Sequence, residues 1–482
     1  MTRSFEIEKG PFEPTWESLR TYSCPEWFRD AKFGIWAHWG PQCVPMYGDW
    51  YARHIYLEGS DQYLHHWRVY GHPSKVGYKD LVRLWKAEKF DPEGLMDLYV
   101  EAGAKYFFGQ AAHHDNFDNW NSTHNRWNAV KVGPKKNIVK MWQHAAKKRG
   151  LPFGLSEHLG ATFSWFCLNK GCDKAGPYAG VPYDGNDPTC EDLYLPNGDE
   201  LKNEKRPWLT ENPWWHERWF KRIKDIIDRH QPDLLYSDSG VPFNEVGLHA
   251  IAHLYNTSAK LHGGVNQAVY NQKDRNPEVH PVGVLDIERG AEPDIFPQPW
   301  QTDTSVGDWF YNVRDRYKTP KHCVEMLVDI VSKNGNLLLN FPQRPDGTLD
   351  DECLYILKCM AKWIKVNGEG IYATRPWKIA GEGPTTGEAG AFKEDARDWT
   401  SEDYRFTAKG DKVFAFLLKW PENGKALIKS FGRNTGHKVV NVNVLGFDGQ
   451  VKFNQDDEAL HITLPAKPTV DYAHCLRLQI GK

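Results

Sequence analysis

The first two-thirds of this chain alternates short apolar runs with amphipathic stretches of helical spacing, and that pattern restricts the fold more than any other feature. Apolar runs separated by helices give parallel strands, because a parallel pair needs a long crossover. Lys32–Trp39, Lys105–Gly109, Pro152–Glu157, Asp233–Asp238, Val282–Glu288 and Gly335–Phe341 read as strands, with a loop from Val282–Glu288 leading to Trp300–Ser305. Ile138–Arg149, stopped by Gly150, and Pro213–His230, Lys321–Lys333 and Cys353–Val366 read as helices. Residues 160–210, rich in Gly, Pro, Asp and Cys, interrupt the alternation and are expected to be a loop insertion over one face.

After Val366–Trp377 the texture changes. Arg405–Thr407, Val413–Leu418, Ala426–Ile428, Val439–Val444, Val451–Asn454, Leu460–Leu464 and Cys475–Gln479 are short runs divided by turn residues, a β-sandwich pattern. The expectation is an α/β chain: a (β/α)8-like barrel over 1–372, then an antiparallel β-sandwich over 373–482. A length of 482 residues suits two domains.

Composition excludes some functions. A net charge of −3 lacks the basic face that nucleic acid needs, and there is no apolar run long enough to span a membrane. No signal peptide is read at residues 1–10. The nine Cys show no CxxC or CxxH spacing, which argues against zinc, although Cys167, Cys172 and Cys190 could form one bridge. Sequons stand at Asn121 and Asn256. The 21 Trp, 21 Tyr and 23 Phe are consistent with an aromatic core, but several Trp sit beside His, Asp or Gly at strand ends. An indole there can stack on the apolar face of a sugar.

Strand ends are where a barrel keeps its reactive groups. The run Leu234–Tyr236 leads into Asp238, and Ser239–Gly240 then turn the chain. An Asp there could equally cap the next helix. Glu157 and Glu288 also close strands, with Glu292 just beyond, and Arg289 could neutralise Glu288 as a salt-bridge partner. His113–His114 follow the second strand without a third ligand at metal spacing; Asp115 and Asp118 are expected to orient those imidazoles.

Five segments together resemble glycoside hydrolase family 29, the retaining α-L-fucosidases: FGIWAHWG at 33–40, AGAKYFFGQAAHHDNFDNWNSTHNRWN at 102–128, PFGLSEH at 152–158, QPDLLYSDSG at 231–240 and GNLLLNFPQRPDG at 335–347. The resemblance covers roughly residues 14–378. It implies an exo-acting enzyme that removes terminal L-fucose from a fucosylated glycan without cofactor or metal. It implies Asp238 as nucleophile. Where many members carry Trp-Glu, this chain has Trp300–Gln301, and an amide cannot donate and recover a proton. Glu288 is the expected acid/base, with Glu292 and Glu157 as alternatives. His38, Trp39, His113 and His114 are implied sugar contacts. Asp49–Trp50 stands for a family Glu-Trp, His158 for a family Tyr, and Tyr236 for a family Trp; Trp309 is implied as the wall against the sugar's C6 methyl. The rival readings are an α-L-galactosidase, differing by one hydroxyl on C6, and a non-catalytic carbohydrate-binding protein, which Gln301 favours. A periplasmic or secreted setting and a homo-oligomer are compatible with the family.

Overall fold

The computed structural model describes residues 5–203, 207–466, 468 and 470–481. Eight parallel strands close a barrel in chain order: β1 (Phe33–Ala37), β2 (Tyr106–Ala112), β3 (Phe153–Glu157), β4 (Leu234–Ser237), β5 (Val269–Gln272), β6 (Val284–Asp286), β7 (Trp300–Ser305) and β8 (Gly335–Asn340). β8 returns to β1, with Phe33 opposite Leu337 and Trp36 opposite Asn340. Every barrel strand is buried along its length. That is why β1, β2 and β4 read as largely apolar runs instead of clean alternation, whereas β5 and β7 carry buried polar residues.

The helices that cover the barrel include α1 (Pro92–Glu101), α2 (Ile138–Lys148), α3 (Leu159–Trp165), α4 (Pro213–His230), α5 (Glu245–Leu261), α6 (Pro320–Ser332) and α7 (Asp351–Asn367). Their starts follow capping rules. Asn212 caps α4 and Thr319 caps α6, each followed by Pro, and Asp350 caps α7. The sequence pattern signals no strand at β5 and no helix at α1, α3 or α5. Val269–Gln272 is four residues long and half polar, too little for a strand signal.

Side-chain parity sets the interior. Trp36, Tyr106, Phe108, Leu234, Tyr236, Val269, Val284 and Leu338 form one buried cluster, so alternate residues of these strands point into the barrel. Two glycines make room for it. A Cβ on Gly34 would lie 2.3 Å from the Tyr106 ring, and one on Gly154 would lie 2.6 Å from Phe108.

The insertion at 160–210 is built around buried carboxylates. Asp173 accepts from Tyr63, Tyr183 and His72, and Asp184 from Tyr56 and Lys79. Cys167, Cys172 and Cys190 are all thiols, so the expected bridge is absent. Asn256 is buried within α5, its amide donated to the Glu8 and Phe12 carbonyls, which leaves that sequon unavailable for glycosylation.

The C-terminal region packs a five-stranded antiparallel sheet, β9 (Arg375–Glu382), β10 (Tyr404–Lys409), β11 (Lys412–Leu417), β13 (Val439–Val444) and β16 (His474–Ile480), against a three-stranded one, β12 (Lys425–Ile428), β14 (Lys452–Gln455) and β15 (Leu460–Thr463). A buried ion cluster fastens it to the barrel. Asp329 on α6 meets Arg405 of β10 at 2.5 Å and Lys333 at 2.8 Å. Burial opposes the charge on Asp329, but Lys333, Arg405 and Arg397 outweigh it and hold the carboxyl well below its usual range.

Candidate active site

The interior parity carries past the strand ends. Trp36 is followed two residues later by His38, Tyr236 by Asp238, Val284 by Asp286 and then Glu288, Val269 by Asn271 and then Lys273, Gly154 by Ser156 and then His158. A register shift between Gln110 and Ala112 changes the phase of β2 and lets both His113 and His114 reach the same space. These side chains converge on a cavity of about 660 Å³ at the C-terminal mouth of the barrel. That is ample for a sugar residue.

Asp238 and Glu288 lie against one cation. Lys273 Nζ is 2.6 Å from Asp238 Oδ1 and 2.5 Å from Glu288 Oε2. His114 Nε2 is 3.3 Å from Asp238 Oδ2, and the Tyr236 hydroxyl is 3.2 Å from Oδ1. Burial pushes the Asp238 carboxyl up, but Lys273, with His158 and His114, wins and holds it well below the usual carboxylate range. Glu288 goes the other way. Burial raises it and Lys273 opposes, but the charges of Asp303 and Asp238 leave it above its ordinary value. Trp309 Nε1 donates to Glu288 Oε1 at 3.2 Å. The surrounding carboxylates keep Lys273 protonated: burial disfavours its ammonium, and Asp238, Asp303 and Glu288 more than compensate.

The other Glu residues weighed for the acid/base do not face this cavity. Glu157 has the outward parity of β3 and is fully bonded, accepting from Ser237 Oγ at 2.6 Å, Leu159 N at 2.8 Å and Trp219 Nε1 of α4 at 3.1 Å. Glu292 pairs with Arg275 at 2.7 Å, away from the cavity. Gln301 has inward parity but lies one layer too deep. It accepts from Tyr106 and donates to Asp286 at 2.6 Å inside the barrel. The unusual amide at 301 therefore sits beneath the cavity, not in it.

Most of the residues expected to contact a sugar lie together. His38, Asp49, Trp50, His113, His114, His158, Tyr236 and Trp309 all line the cavity. Trp39 does not. It has the outward parity of β1 and packs on Trp85 and Phe90, both centroids 4.9 Å away, with its indole N–H on the Arg344 carbonyl. Asp115 and Asp118 do not orient the histidines either. Asp115 accepts from Tyr78, and Asp118 is paired with Arg222 of α4.

Gln42 takes that role for His113. Its Oε1 accepts from Ala52 N, so its amide donates to His113 Nδ1 at 2.8 Å. The proton of a neutral His113 is thereby placed on Nε2. His158 is fixed by Nδ1 on the Ala112 carbonyl at 3.3 Å, and His114 by Nδ1 on the His158 carbonyl at 2.7 Å. Burial, reinforced by mutual repulsion, holds His38 and His113 well below the ordinary imidazole range. His158 is lowered to about 3, chiefly by burial. His38, His113 and His158 bring ring nitrogens within 4.8 Å of one another, close enough to consider a metal. With Nε2 of His113 protonated, that nitrogen is a hydrogen-bond donor and has no lone pair to offer a metal.

Several lining residues were not foreseen: Trp36, His54, Trp208, Lys273, Arg289, Asp303, Asp308 and Phe392. Lys273 was available to the parity rule once β5 was seen. Trp208, from the insertion, stacks on Trp50 at 5.8 Å and was hidden in a segment without periodicity.

Comparison with known proteins identifies the family. The sequence model of the alpha-L-fucosidase family matches residues 1–369, and that of the alpha-L-fucosidase C-terminal domain matches 397–479. The tissue alpha-L-fucosidase of Rattus norvegicus is 29% identical over 471 residues, covering 95% of this chain and 89% of its own. The human plasma alpha-L-fucosidase is 29% identical, covering 86% and 81%. The Thermotoga maritima alpha-fucosidase in complex with fucose superposes with a TM-score of 0.75 at 26% identity, over 97% of this chain and 100% of that one. This chain belongs to the α-L-fucosidase family of glycoside hydrolases, glycoside hydrolase family 29.

Proposed function

We propose that this enzyme is a retaining, exo-acting α-L-fucosidase that releases terminal L-fucose from oligo- or polysaccharides by double displacement. The observation that carries the reading is the shared contact of Asp238 and Glu288 with Lys273 Nζ. Two oxygens bound to one nitrogen at such distances lie no more than about 5.1 Å apart, too close for the roughly 6.5–9.5 Å of inverting glycosidases and compatible with the roughly 5–5.5 Å of retaining ones. Their environments also push the two groups in opposite directions, the arrangement that assigns a base and an acid.

Asp238, kept ionised, attacks the anomeric carbon while Glu288 protonates the departing oxygen. The anomeric carbon–oxygen bond breaks as the ester forms. Asp238 then no longer carries its negative charge, and that charge helps to hold the proton on Glu288. Glu288 is thereby released to take a proton from water, which attacks the ester and regenerates Asp238. His113, as an Nε2–H donor, and His38, His114 and His158 hold the ring hydroxyls, with contacts that strengthen as the ring flattens. In support, a Thermotoga maritima α-L-fucosynthase with an aspartate-to-glycine change has a solved structure in complex with α-L-Fuc-(1-2)-β-L-Fuc-N3, at 25% identity to this chain and a TM-score of 0.75.

The choice of L-fucose over L-galactose rests on Trp309. Its indole walls the cavity with Trp36 and His38 behind it at 5.3 Å. A C6 hydroxyl against that wall would be desolvated without a partner, which disfavours galactose. Among the described residues no helix is long and apolar enough to cross a membrane. Action on glycans in a periplasmic or extracellular setting accords with this reading.

The test is hydrolysis of aryl α-L-fucoside beside aryl α-L-galactoside. Wild type should release α-L-fucose as the first-formed anomer. Asp238→Gly should be inactive until azide is added, then give β-L-fucosyl azide. Glu288→Gln with azide should give the α-azide from the trapped intermediate. A β-anomer as the first-formed product, or full activity in either variant, would overturn the mechanism.

A further inference from the structure

A segment of the C-terminal region crosses onto the barrel and delivers an aromatic ring to the cavity. Phe392 lies between β9 and β10, lines the cavity beside Glu288 and Arg289, and is 65% exposed. Its backbone φ is +59°, a left-handed conformation that costs a bulky residue energy and survives only where its surroundings impose it.

The surroundings do impose it. Phe392 N donates to the carbonyl of Glu288 at 2.9 Å, and Gly390 N to that of Ala291 at 2.8 Å. Two residues on, the Glu394 carboxylate is held by Arg289 at 3.0 Å, Lys318 at 2.8 Å and Thr304 at 2.6 Å. Gly290 allows the approach: a Cβ there would stand 1.9 Å from the Gly390 carbonyl oxygen. A strained, tightly anchored segment presents a large apolar side chain that is left mostly in water. Packing does not account for that expense, whereas a ligand that covers the ring would.

The position says which part of a ligand. Glu288 protonates the leaving oxygen in the mechanism proposed above, on which this inference rests, so the aglycone lies on the side of Glu288. Phe392 is bonded to the backbone of that residue. We propose that Phe392 is a specificity-determining residue, forming one wall of the aglycone subsite and stacking on the apolar face of a pyranose ring. The preferred substrates are then α-L-fucosides whose leaving group is itself a sugar.

Two substrates test this: α-L-fucosyl fluoride, which has no ring on the leaving side, and the fucosyl-pyranose disaccharide that wild type hydrolyses best from a set of linkages. Phe392→Ala should lower kcat/KM for the disaccharide about tenfold more than for the fluoride, mostly through KM. Phe392→Trp should restore it. Equal effects on both substrates, or no effect on the disaccharide, would overturn the subsite. A wild type that cleaves neither substrate would instead remove the fucosidase reading, and the subsite with it.

Discussion

Asp238 and Glu288 share one ammonium: Lys273 Nζ is 2.6 Å from the first and 2.5 Å from the second. Because the same cation lowers both carboxyls, Lys273 is the residue through which their titrations can be moved together. Removing it takes a stabilising charge from Asp238 and from Glu288 at once, and leaves Glu288 facing the charges of Asp303 and Asp238.

Lys273→Met should therefore shift the bell-shaped pH profile of kcat/KM to higher pH. The acid limb reports ionisation of Asp238, which in wild type is depressed by Lys273 and in the variant rises. The alkaline limb reports loss of the Glu288 proton, which Lys273 lowers in wild type, so it rises too. At the wild-type optimum kcat/KM should fall by about 10²–10³-fold. Lys273→Arg, keeping the charge, should retain the profile. Limbs that stay in place in the Met variant would mean the cation does not tune the pair.

Glu157 separates structural from catalytic carboxylates. It accepts three hydrogen bonds and points to the helix layer. Glu157→Gln cannot accept all three and should lower unfolding stability by about 1–3 kcal/mol, read from urea denaturation. Its kcat on an aryl fucoside should stay within a few-fold of wild type. A rate loss matching that of Glu288→Gln would reinstate it as the acid.

Much of this was legible in the sequence, and parity explains both successes and failures. Asp238, Glu288, His38 and His158 each extend an inward-facing strand register by two or four residues, so a strand-end reading finds them. Trp39 and Glu157 are one residue out of phase and point away, something a motif such as His-Trp-Gly conceals. Lys273 escaped because Val-Tyr-Asn-Gln is too short and polar to announce a strand, and without β5 there was no register to extend. Phe392 was illegible for a different reason: it reaches the cavity through contacts between distant segments, such as Glu394 with Lys318, and no local pattern encodes those.

The domain junction makes a prediction about stability and pH. Asp329 is depressed in the folded state by Lys333, Arg405 and Arg397. A depressed carboxylate contributes stability that is fully present above its unfolded pKa, about 3.9, and is lost as pH falls through the folded value. Asp329→Ala leaves those cations without their buried partner and should cost about 3–5 kcal/mol at pH 7. The gap between wild type and variant, followed by denaturant titration, should be constant from pH 7 to 5 and begin to narrow below about pH 4. A gap that widens on acidification would contradict the assignment.

Gln42 never touches the cavity but decides what His113 offers to it. Because its amide donates to Nδ1, neutral His113 carries its proton on Nε2. Gln42→Glu keeps an acceptor for Ala52 N yet places a carboxylate where the donor was, which draws a proton onto Nδ1. The imidazole then either loses its Nε2 donor or becomes charged in a site whose burial opposes charge. Both outcomes should reduce kcat/KM by about 10–100-fold, whereas Gln42→Leu, which imposes neither tautomer, should fall less. Nitrogen chemical shifts of His113 report the tautomer directly. If they show Nε2–H unchanged in the Glu variant while activity falls, Gln42 acts by packing and not by fixing the proton.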